Sequence, residues 1–377
     1  MVQFNRNNLD KARSPYLKQH QNNPVHWQEW NKKTLDFTKK NEKPLFVSVG
    51  YSTCHWCHVM AHESFEDNEV AKYLNEHFVC IKVDREERPD IDQYLMSYIV
   101  KTQGQGGWPL NVFLTDDMKP FFALTYAPVK PKYGMPAFID LLKSVYDFYK
   151  EGDIDSYEME NVSKSNVDEE NLIATFKAVY DKYHGGFSGE PKFPPHNSLL
   201  FLANFVNFDQ TSEIKKILEQ TLDVMSMRGL HDHLQGGFYR YCTDSNWTIP
   251  HFEKMLYDQA MMLMVYSCGY KVLKKNEYKL IVEKIIKCLD ETFRNLDVFY
   301  SGHDADTNHE EGLTYLWDYN EVKKNVNLEK FSEVYEISKE GNFEGRNHLI
   351  KKKNEFFKDE ERLLEIRKKR VQPFVDK

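Results

Sequence analysis

The sequence has no apolar run that approaches the roughly 20 residues of a membrane-spanning helix, so we expect no membrane partner. Its first twenty residues, MVQFNRNNLDKARSPYLKQH, are polar and carry no apolar stretch typical of a secretory leader, which predicts a cytoplasmic protein. An excess of basic charge is also absent. The net charge of −8 argues against nucleic acid as a partner.

Cysteine is scarce, with six in 377 residues, and this excludes a small scaffold held together by disulfides. Only Cys54 and Cys57 form a close pair. In a reducing compartment such a pair is more often catalytic, redox-sensing or metal-binding than structural. The other four are scattered along the chain: Cys80, Cys242, Cys268 and Cys288.

The length of the chain predicts two domains. Residues 1–150 alternate strands with helices and predict an α/β domain. Residues 151–170 hold eight acidic residues against one basic residue, which predicts an acidic linker. In residues 171–377 the strand pattern stops and helical periods take over, so we expect an all-α domain.

Short apolar runs predict three buried strands, at 45–51, 77–84 and 108–115. Periodic patterns predict helices in both halves of the chain, the first of them capped by Asn23 with Pro24 in its first turn. Two Gly-Gly-Phe segments 51 residues apart, at 185–187 and 236–238, predict a repeat of stacked helical hairpins. The expected helices are 23–40, 67–77, 90–101, 171–183, 197–207, 212–228, 252–274 and 276–294.

The candidate redox site is Cys54-His55-Trp56-Cys57, between an expected buried strand and an expected helix. A helix N-terminus stabilises a thiolate, and a protonated His55 would lower a thiol pKa further. We expect Cys54 to be the exposed cysteine that attacks a substrate disulfide, and Cys57 to resolve the mixed disulfide. Trp56 would shape the rim of the site.

Other interpretations of this segment stay open. The pattern C-x-x-C-H also marks c-type haem attachment, which takes place outside the cytosol. A zinc site drawing on nearby histidines is a second alternative, although a structural zinc site usually has a distant second pair of ligands. The third is a thioredoxin-like fold whose cysteines no longer have a role. The nearby histidines are His55, His58 and His62.

Several segments together resemble the family of thioredoxin-like proteins related to spermatogenesis-associated protein 20, a domain of unknown function. They are SPYLKQHQNNPVHWQEW (14–30), VGYSTCHWCHVMAHESFED (49–67), KVDREERPDID (82–92), GGWPLNVFLTDDMKPF (106–121), GGFYRY (236–241), PHFEKMLYDQA (250–260) and DAD (304–306). The resemblance implies a thioredoxin-like domain followed by an (α/α)6 toroid of the six-hairpin glycosidase type. It also implies a cis Trp108–Pro109 bond facing the dithiol.

The sequence departs from this family in two places. The turn expected before DAD reads Asn295-Leu296-Asp297-Val298-Phe299 and lacks paired glycines. The final residues, RKKRVQPFVDK, match the start of a motif that normally continues into further hairpins. We therefore expect residues 171–377 to form an incomplete toroid.

The resemblance also implies a candidate carbohydrate site in loops at one end of the toroid. Paired carboxylates there could hydrolyse a glycosidic bond, and paired histidines could move a proton at a sugar carbon. The same polar residues could instead only pin long loops by hydrogen bonds. They are His231, Asp232, His233, Arg240, Tyr241, Asp244, His251, Glu253, Asp304 and Asp306.

The sequence leaves two functions open. The first is a thiol–disulfide oxidoreductase with an unidentified protein disulfide or redox partner. The second is a sugar epimerase- or glycosidase-like enzyme that binds a carbohydrate and carries a non-catalytic thioredoxin-like domain. Neither function requires a cofactor or a metal, and none is expected.

Overall fold

The computed structural model divides the chain into two compact units, Met1–Ser163 and Lys164–Lys377. The expected acidic linker, residues 151–170, lies largely outside the residues that the structure describes. No helix in those residues is both long enough and apolar enough to span a bilayer. The described residues are 4–132, 134–152, 154, 168–208, 213–355 and 357–376.

The first unit is built on a five-stranded sheet in the order β1-β3-β2-β4-β5. β3 runs parallel to β1 and β2, whereas β4 is antiparallel to both β2 and β5. The three central strands are buried on both faces, which explains why their sequences are mostly apolar. The strands are β1 (Gln28–Glu29), β2 (Leu45–Gly50), β3 (Val79–Asp84), β4 (Leu110–Leu114) and β5 (Pro120–Leu124).

Six helices in the described part of this unit accompany the sheet, and their caps account for where several of them begin. The Asp67 carboxylate accepts the N–H groups of Glu69 and Val70 and thereby starts α4. α3 continues directly into a π turn at Ala61–Phe65. The helices are α1 (Pro15–Gln19), α2 (Lys32–Asn41), α3 (His55–Met60), α4 (Asn68–His77), α5 (Pro89–Gln103) and α6 (Phe138–Glu151).

The prediction of a helix over residues 23–40 is wrong in its first half. The helix starts at Lys32, because the side chain of Asn31 caps it by accepting the Thr34 N–H. Residues 23–31 instead form turns and the short strand β1, and they bury Trp27 completely against Phe46 and Phe65. Burial of this tryptophan in the tertiary core therefore outweighs the helical spacing of the aromatic residues.

The second unit contains eight helices in its described part, and α8, α9, α10 and α11 pack against one another. Their apolar faces form one core that includes Leu218, Leu222, Met262 and Tyr266. The helices are α7 (Glu169–Val179), α8 (His196–Phe208), α9 (Glu213–Met227), α10 (Leu256–Leu273), α11 (Asn276–Cys288), α12 (Tyr319–Asn325), α13 (Leu328–Val334) and α14 (Glu360–Arg367).

The expectation that strands end after the first unit is wrong, because short two-stranded ladders join the loops between these helices. Such ladders pair backbone groups that burial would otherwise leave unsatisfied. The predicted helix over residues 252–274 starts later, at Leu256, because Lys254 and Met255 belong to one of these strands. The strands are β6 (Tyr241–Cys242), β7 (Pro250–His251), β8 (Lys254–Met255), β9 (Arg294–Asn295), β10 (Val298–Phe299), β11 (Gly302–His303), β12 (Asp306–Thr307), β13 (Glu310–Glu311), β14 (Tyr335–Glu336) and β15 (Ile350–Lys351).

Candidate redox site and buried ion networks

Cys54 and Cys57 are joined by a disulfide at the start of α3, with their Cα atoms 5.2 Å apart. β2 ends at Gly50, and a short turn then places Cys54 at the N-cap of the helix. Its Sγ accepts the Cys57 N–H at 3.2 Å. Both sulfurs therefore lie at the positive end of the helix dipole, where a thiolate is stabilised after reduction.

The expectation that Cys54 is exposed is wrong for the disulfide form. Cys54 is 2% exposed and Cys57 is 1% exposed. The Cys54 sulfur is turned toward the helix, bonded to Cys57 and accepting its N–H, so it presents almost no surface. Trp56 is the exposed member of the motif, at 40%.

The other members of the motif frame the disulfide. The Trp56 ring lies 5.2 Å from the Tyr126 ring and 5.6 Å from the half-buried His55 ring. His58 Nε2 donates to the Ser52 carbonyl at 2.7 Å, which holds the turn before the helix. The two sulfurs are bonded to each other in this structure, so zinc binding would first require reduction of the pair.

The Trp108–Pro109 bond is cis, in agreement with the resemblance. Leu110 pairs with Val49, so Pro109 lies at the end of β2 from which the dithiol segment departs. The Trp108 ring is held by a hydrogen bond and by a cation–π contact. Its Nε1 donates to Asp92 Oδ1 at 2.7 Å, and the Arg85 guanidinium lies 4.0 Å from the ring centroid.

A buried polar group in this unit was not identified from the sequence. Lys82 on β3 is fully buried, and its Nζ donates to Ser48 Oγ at 2.8 Å. This Nζ also lies 4.5 Å from the Phe65 ring centroid. Burial lowers the pKa of Lys82 well below its usual value. The only signal in the sequence was its place within the KVDREERPDID segment.

In the second unit, Asp232 belongs to a buried ion network. Arg367 binds the Asp232 carboxylate with two hydrogen bonds of 2.9 and 2.8 Å, and Lys254 Nζ donates to it at 2.6 Å. Burial alone would raise the pKa of Asp232, but Arg367 and Lys254 outweigh it and hold this pKa well below its usual range. His231 lies beside His233, with Nδ1 atoms 3.3 Å apart.

The two Gly-Gly-Phe segments adopt the same local structure, as the repeat in the sequence predicts. In the first copy, Asp181 binds the buried Lys192 at 2.7 Å and accepts the N–H of Gly185 with its backbone carbonyl. In the second, Asp232 binds Lys254 and accepts the N–H of Gly236 in the same way. The paired glycines of both copies have positive φ, between 67° and 84°, which suits glycine.

His251, Glu253 and Arg240 come together in a second buried array. His251 Nε2 lies 2.7 Å from Glu253 Oε1, and its Nδ1 lies 2.6 Å from Glu311 Oε1. Arg240 donates to the other oxygen of Glu253 at 3.0 Å. Burial alone would lower the pKa of His251, but the two glutamates outweigh it and raise this pKa to about 9.

The remaining candidates of the second unit lie in the loops around this array. β8 and β11 pair as far as Lys254 and His303, so Asp304 and Glu253 are the next residues on each strand. Asp304 Oδ1 accepts the Asp306 N–H at 3.0 Å. The Asp244 carboxylate accepts backbone N–H groups at 246, 248 and 249, which pins its own loop.

Residues 6–167 match the family model Thioredox_DsbH, described as a protein of unknown function, DUF255. An uncharacterised Caenorhabditis elegans protein, B0495.5, is 40% identical over 351 residues, which cover 86% of this chain and 48% of that protein. Spermatogenesis-associated protein 20 of Mus musculus is 37% identical over 84% of this chain and 44% of its own length. This chain belongs to the family of thioredoxin-like proteins related to spermatogenesis-associated protein 20. It spans about half the length of these relatives.

Two solved structures are similar to parts of this family member. A DsbH oxidoreductase is 20% identical over 33% of this chain and 85% of its own, with a TM-score of 0.26. A sugar epimerase from a ruminal bacterium is 16% identical over 40% of this chain and 43% of its own, with a TM-score of 0.32. At TM-scores this low, neither similarity assigns a fold to this chain. The fold is given by the strand order and helix pairing described above.

Proposed function

We propose that the first unit is a thiol–disulfide oxidoreductase whose reactive group is the Cys54–Cys57 pair. The observation that carries this proposal is the disulfide itself, placed at the N-terminus of α3 and at the sheet end where Pro109 lies. A disulfide between two residues of one helical turn cross-links very little chain, so it adds little to stability. Such a bond is better suited to reversible chemistry than to holding the fold.

In the proposed reaction the reduced Cys54 thiolate attacks one sulfur of a substrate disulfide. A mixed disulfide forms, and the other substrate sulfur leaves as a thiolate. Cys57 then attacks Cys54 Sγ, which releases the second substrate thiolate and restores the observed disulfide. The substrate gains two electrons, and the protein loses them. The exposed Trp56 ring would contact the polypeptide around the substrate disulfide.

The partner in this proposal is a protein disulfide, or a dithiol protein when the reaction runs in the opposite direction. A reducing, cytoplasmic setting suits the thiols of Cys80, Cys242, Cys268 and Cys288, all of which are free. The second unit would then serve as a binding module. Its helix pairs α8–α9 and α10–α11 are the part that an (α/α)6 toroid would extend.

Turnover with defined variants tests this function. The chain reduced by dithiothreitol should reduce insulin disulfides, Cys54→Ser should abolish the reaction, and Cys57→Ser should accumulate a mixed disulfide through Cys54. Cys268→Ser, which removes the free cysteine of the second unit that is not fully buried, is the matched control and should react like the parent chain. Equal activity of Cys54→Ser and the parent chain would contradict the proposal.

A second candidate function is carbohydrate binding by the second unit, and an aromatic stack favours it. The Phe193 ring lies 4.5 Å from the Tyr241 ring, which in turn stacks 5.1 Å from the His251 ring. Phe193 is 51% exposed, so an apolar sugar face could stack on it. His251 connects this stack to the charged array, since it contacts both Glu253 and Glu311.

Ligand-observed NMR with a panel of disaccharides tests this second function. Binding that disappears in Phe193→Ala, and remains in a Phe374→Ala control with a similarly exposed ring, would support it. Absence of saturation transfer from the parent chain to every disaccharide would contradict it.

A further inference from the structure

The Tyr16 hydroxyl is a buried polar group without a hydrogen-bond partner among the described residues. Tyr16 lies on α1 and its side chain has no exposed surface. Folded proteins seldom leave a buried donor unsatisfied, and such exceptions often mark a functional role or a partner that forms in another state. The atoms next to this hydroxyl therefore decide what it can do.

Gly50 shows what lies beside the hydroxyl. A Cβ built on Gly50 would stand 2.2 Å from Tyr16 Oη and 2.7 Å from Cys57 Sγ. Both atoms therefore crowd the same point at the end of β2, and only glycine leaves room for them. The Tyr16 hydroxyl and the Cys57 sulfur are neighbours across the bare Cα of Gly50.

In the disulfide form this sulfur is a weak acceptor, which is consistent with the missing hydrogen bond. Reduction changes the pair, because a Cys57 thiolate is a buried anion that needs a donor. A hydrogen bond from a hydroxyl to an ionised acceptor is about twice as strong as one between neutral groups. The reduced state would therefore supply the partner that the oxidised state lacks.

Other groups around Tyr16 are less suited to this role. The Lys82 Nζ lies 5.2 Å from the Tyr16 ring centroid but already donates to Ser48. Asp84 is an acceptor, and its Oδ2 accepts a hydrogen bond from the Ser14 hydroxyl at 2.6 Å. Burial, followed by the charge of Asp84, raises the pKa of Tyr16, so the hydroxyl keeps its proton.

His20 is another polar neighbour of the Tyr16 ring, and it too is engaged elsewhere. The two rings pack edge-on, with centroids 5.0 Å apart. The His20 Nδ1 atom lies 2.9 Å from the Asn23 side-chain oxygen. Burial, followed by the charge of Lys82, lowers the pKa of His20 well below its usual value, so this imidazole is neutral.

We propose that Tyr16 donates a hydrogen bond to the Cys57 thiolate and thereby stabilises the reduced form of the dithiol. When a substrate thiolate attacks Cys54 Sγ, a new sulfur–sulfur bond forms and the Cys54–Cys57 bond breaks. The electron pair of the broken bond stays on Cys57 Sγ, next to the Tyr16 hydroxyl. The incoming thiolate belongs to a dithiol, which is oxidised as the protein is reduced. The turnover part of this inference rests on the oxidoreductase function proposed above.

Tyr16→Phe tests the proposal because it removes one unpartnered oxygen and keeps the ring. In a Cys54→Ser background, we expect the variant to raise the pKa of Cys57 by about one unit, as loss of a hydrogen bond to a charged group implies. Ultraviolet thiolate absorbance against pH measures this pKa, with Cys54→Ser/Cys57→Ser subtracted to remove the other cysteines. Tyr146→Phe, on α6 against His77 and Phe78, is the matched control and should change nothing.

Two further readouts separate this role from a structural one. With both cysteines present, Tyr16→Phe should make the dithiol more reducing. At a pH above the Cys57 pKa, the equilibrium constant for its reduction by dithiothreitol should fall roughly tenfold. The melting temperature of the oxidised chain should not fall, since the hydroxyl has no partner there among the described residues. An unchanged Cys57 pKa, or an equal loss of stability in both redox states, would overturn the proposal. A shifted Cys57 pKa in a chain that reduces no protein disulfide would support the hydrogen bond and refute only the oxidoreductase function.

Discussion

Asp232 provides a direct test of whether a suspected catalytic carboxylate is in fact structural. Asp232→Asn keeps the shape of the side chain but removes the charge that neutralises Arg367 and Lys254, whose side chains are 4% and 1% exposed. Two buried cations would remain without a counter-ion. Breaking a buried ion pair by removing one partner typically costs about 3–5 kcal/mol.

For a unit of this size, such a loss corresponds to a fall in melting temperature of roughly 6–20 °C. Urea unfolding at pH 7 measures the free energy, and hydrogen exchange of peptides near residues 232 and 367 localises the loss to the second unit. Asp290→Asn, which breaks an exposed pair with Arg294, is the control and should cost well under about 1 kcal/mol. A change for Asp232→Asn as small as that of the control would refute the structural role.

The remaining predictions concern the other site residues. The pKa of His251 in the folded chain is raised to about 9, whereas an unperturbed histidine has a pKa of about 6.5. Protonated His251 therefore stabilises the folded chain fully below pH 6.5, and this stabilisation is lost as the pH rises through 9. Between pH 6.5 and 10 the parent chain should lose about 3 kcal/mol of unfolding free energy relative to His251→Gln, and parallel pH profiles would contradict this. Trp56→Ala should raise KM for a protein disulfide roughly 5- to 30-fold, as loss of an exposed aromatic anchor implies, and leave a small-molecule disulfide unaffected. Equal effects on both substrates would place Trp56 in the chemistry instead of in substrate binding.

The central strands were predictable because burial on both faces favours a run of mostly apolar residues. β2, β3 and β4 all lie inside such runs. β5 was missed, since it is an edge strand with only partial burial. The false helix start at residue 23 arose because Trp27 and Trp30 share a helical spacing, although Trp27 is anchored in the tertiary core.

The dithiol was predictable because its two cysteines are close in sequence, three residues apart between a strand and a helix. The ion networks were not, since Asp232 and Arg367 are 135 residues apart and meet only in the folded chain. Lys192 and Lys254 were not predictable as counterparts either, since Lys192 follows Gly185 by 7 residues and Lys254 follows Gly236 by 18. Tyr16 belongs to a segment that carries the family resemblance, but only the crowding at Gly50 connects it to Cys57.

The central claim is that Cys54 and Cys57 form a reversible redox pair. The most direct test equilibrates the full chain with glutathione buffers of graded potential, followed by acid quenching, alkylation and mass spectrometry of the peptide that contains residues 54–57. The account predicts a two-electron transition at a potential within the range of cellular oxidoreductases, roughly −120 to −270 mV. A pair that remains oxidised well below about −300 mV, as structural disulfides do, or that never oxidises, would contradict it.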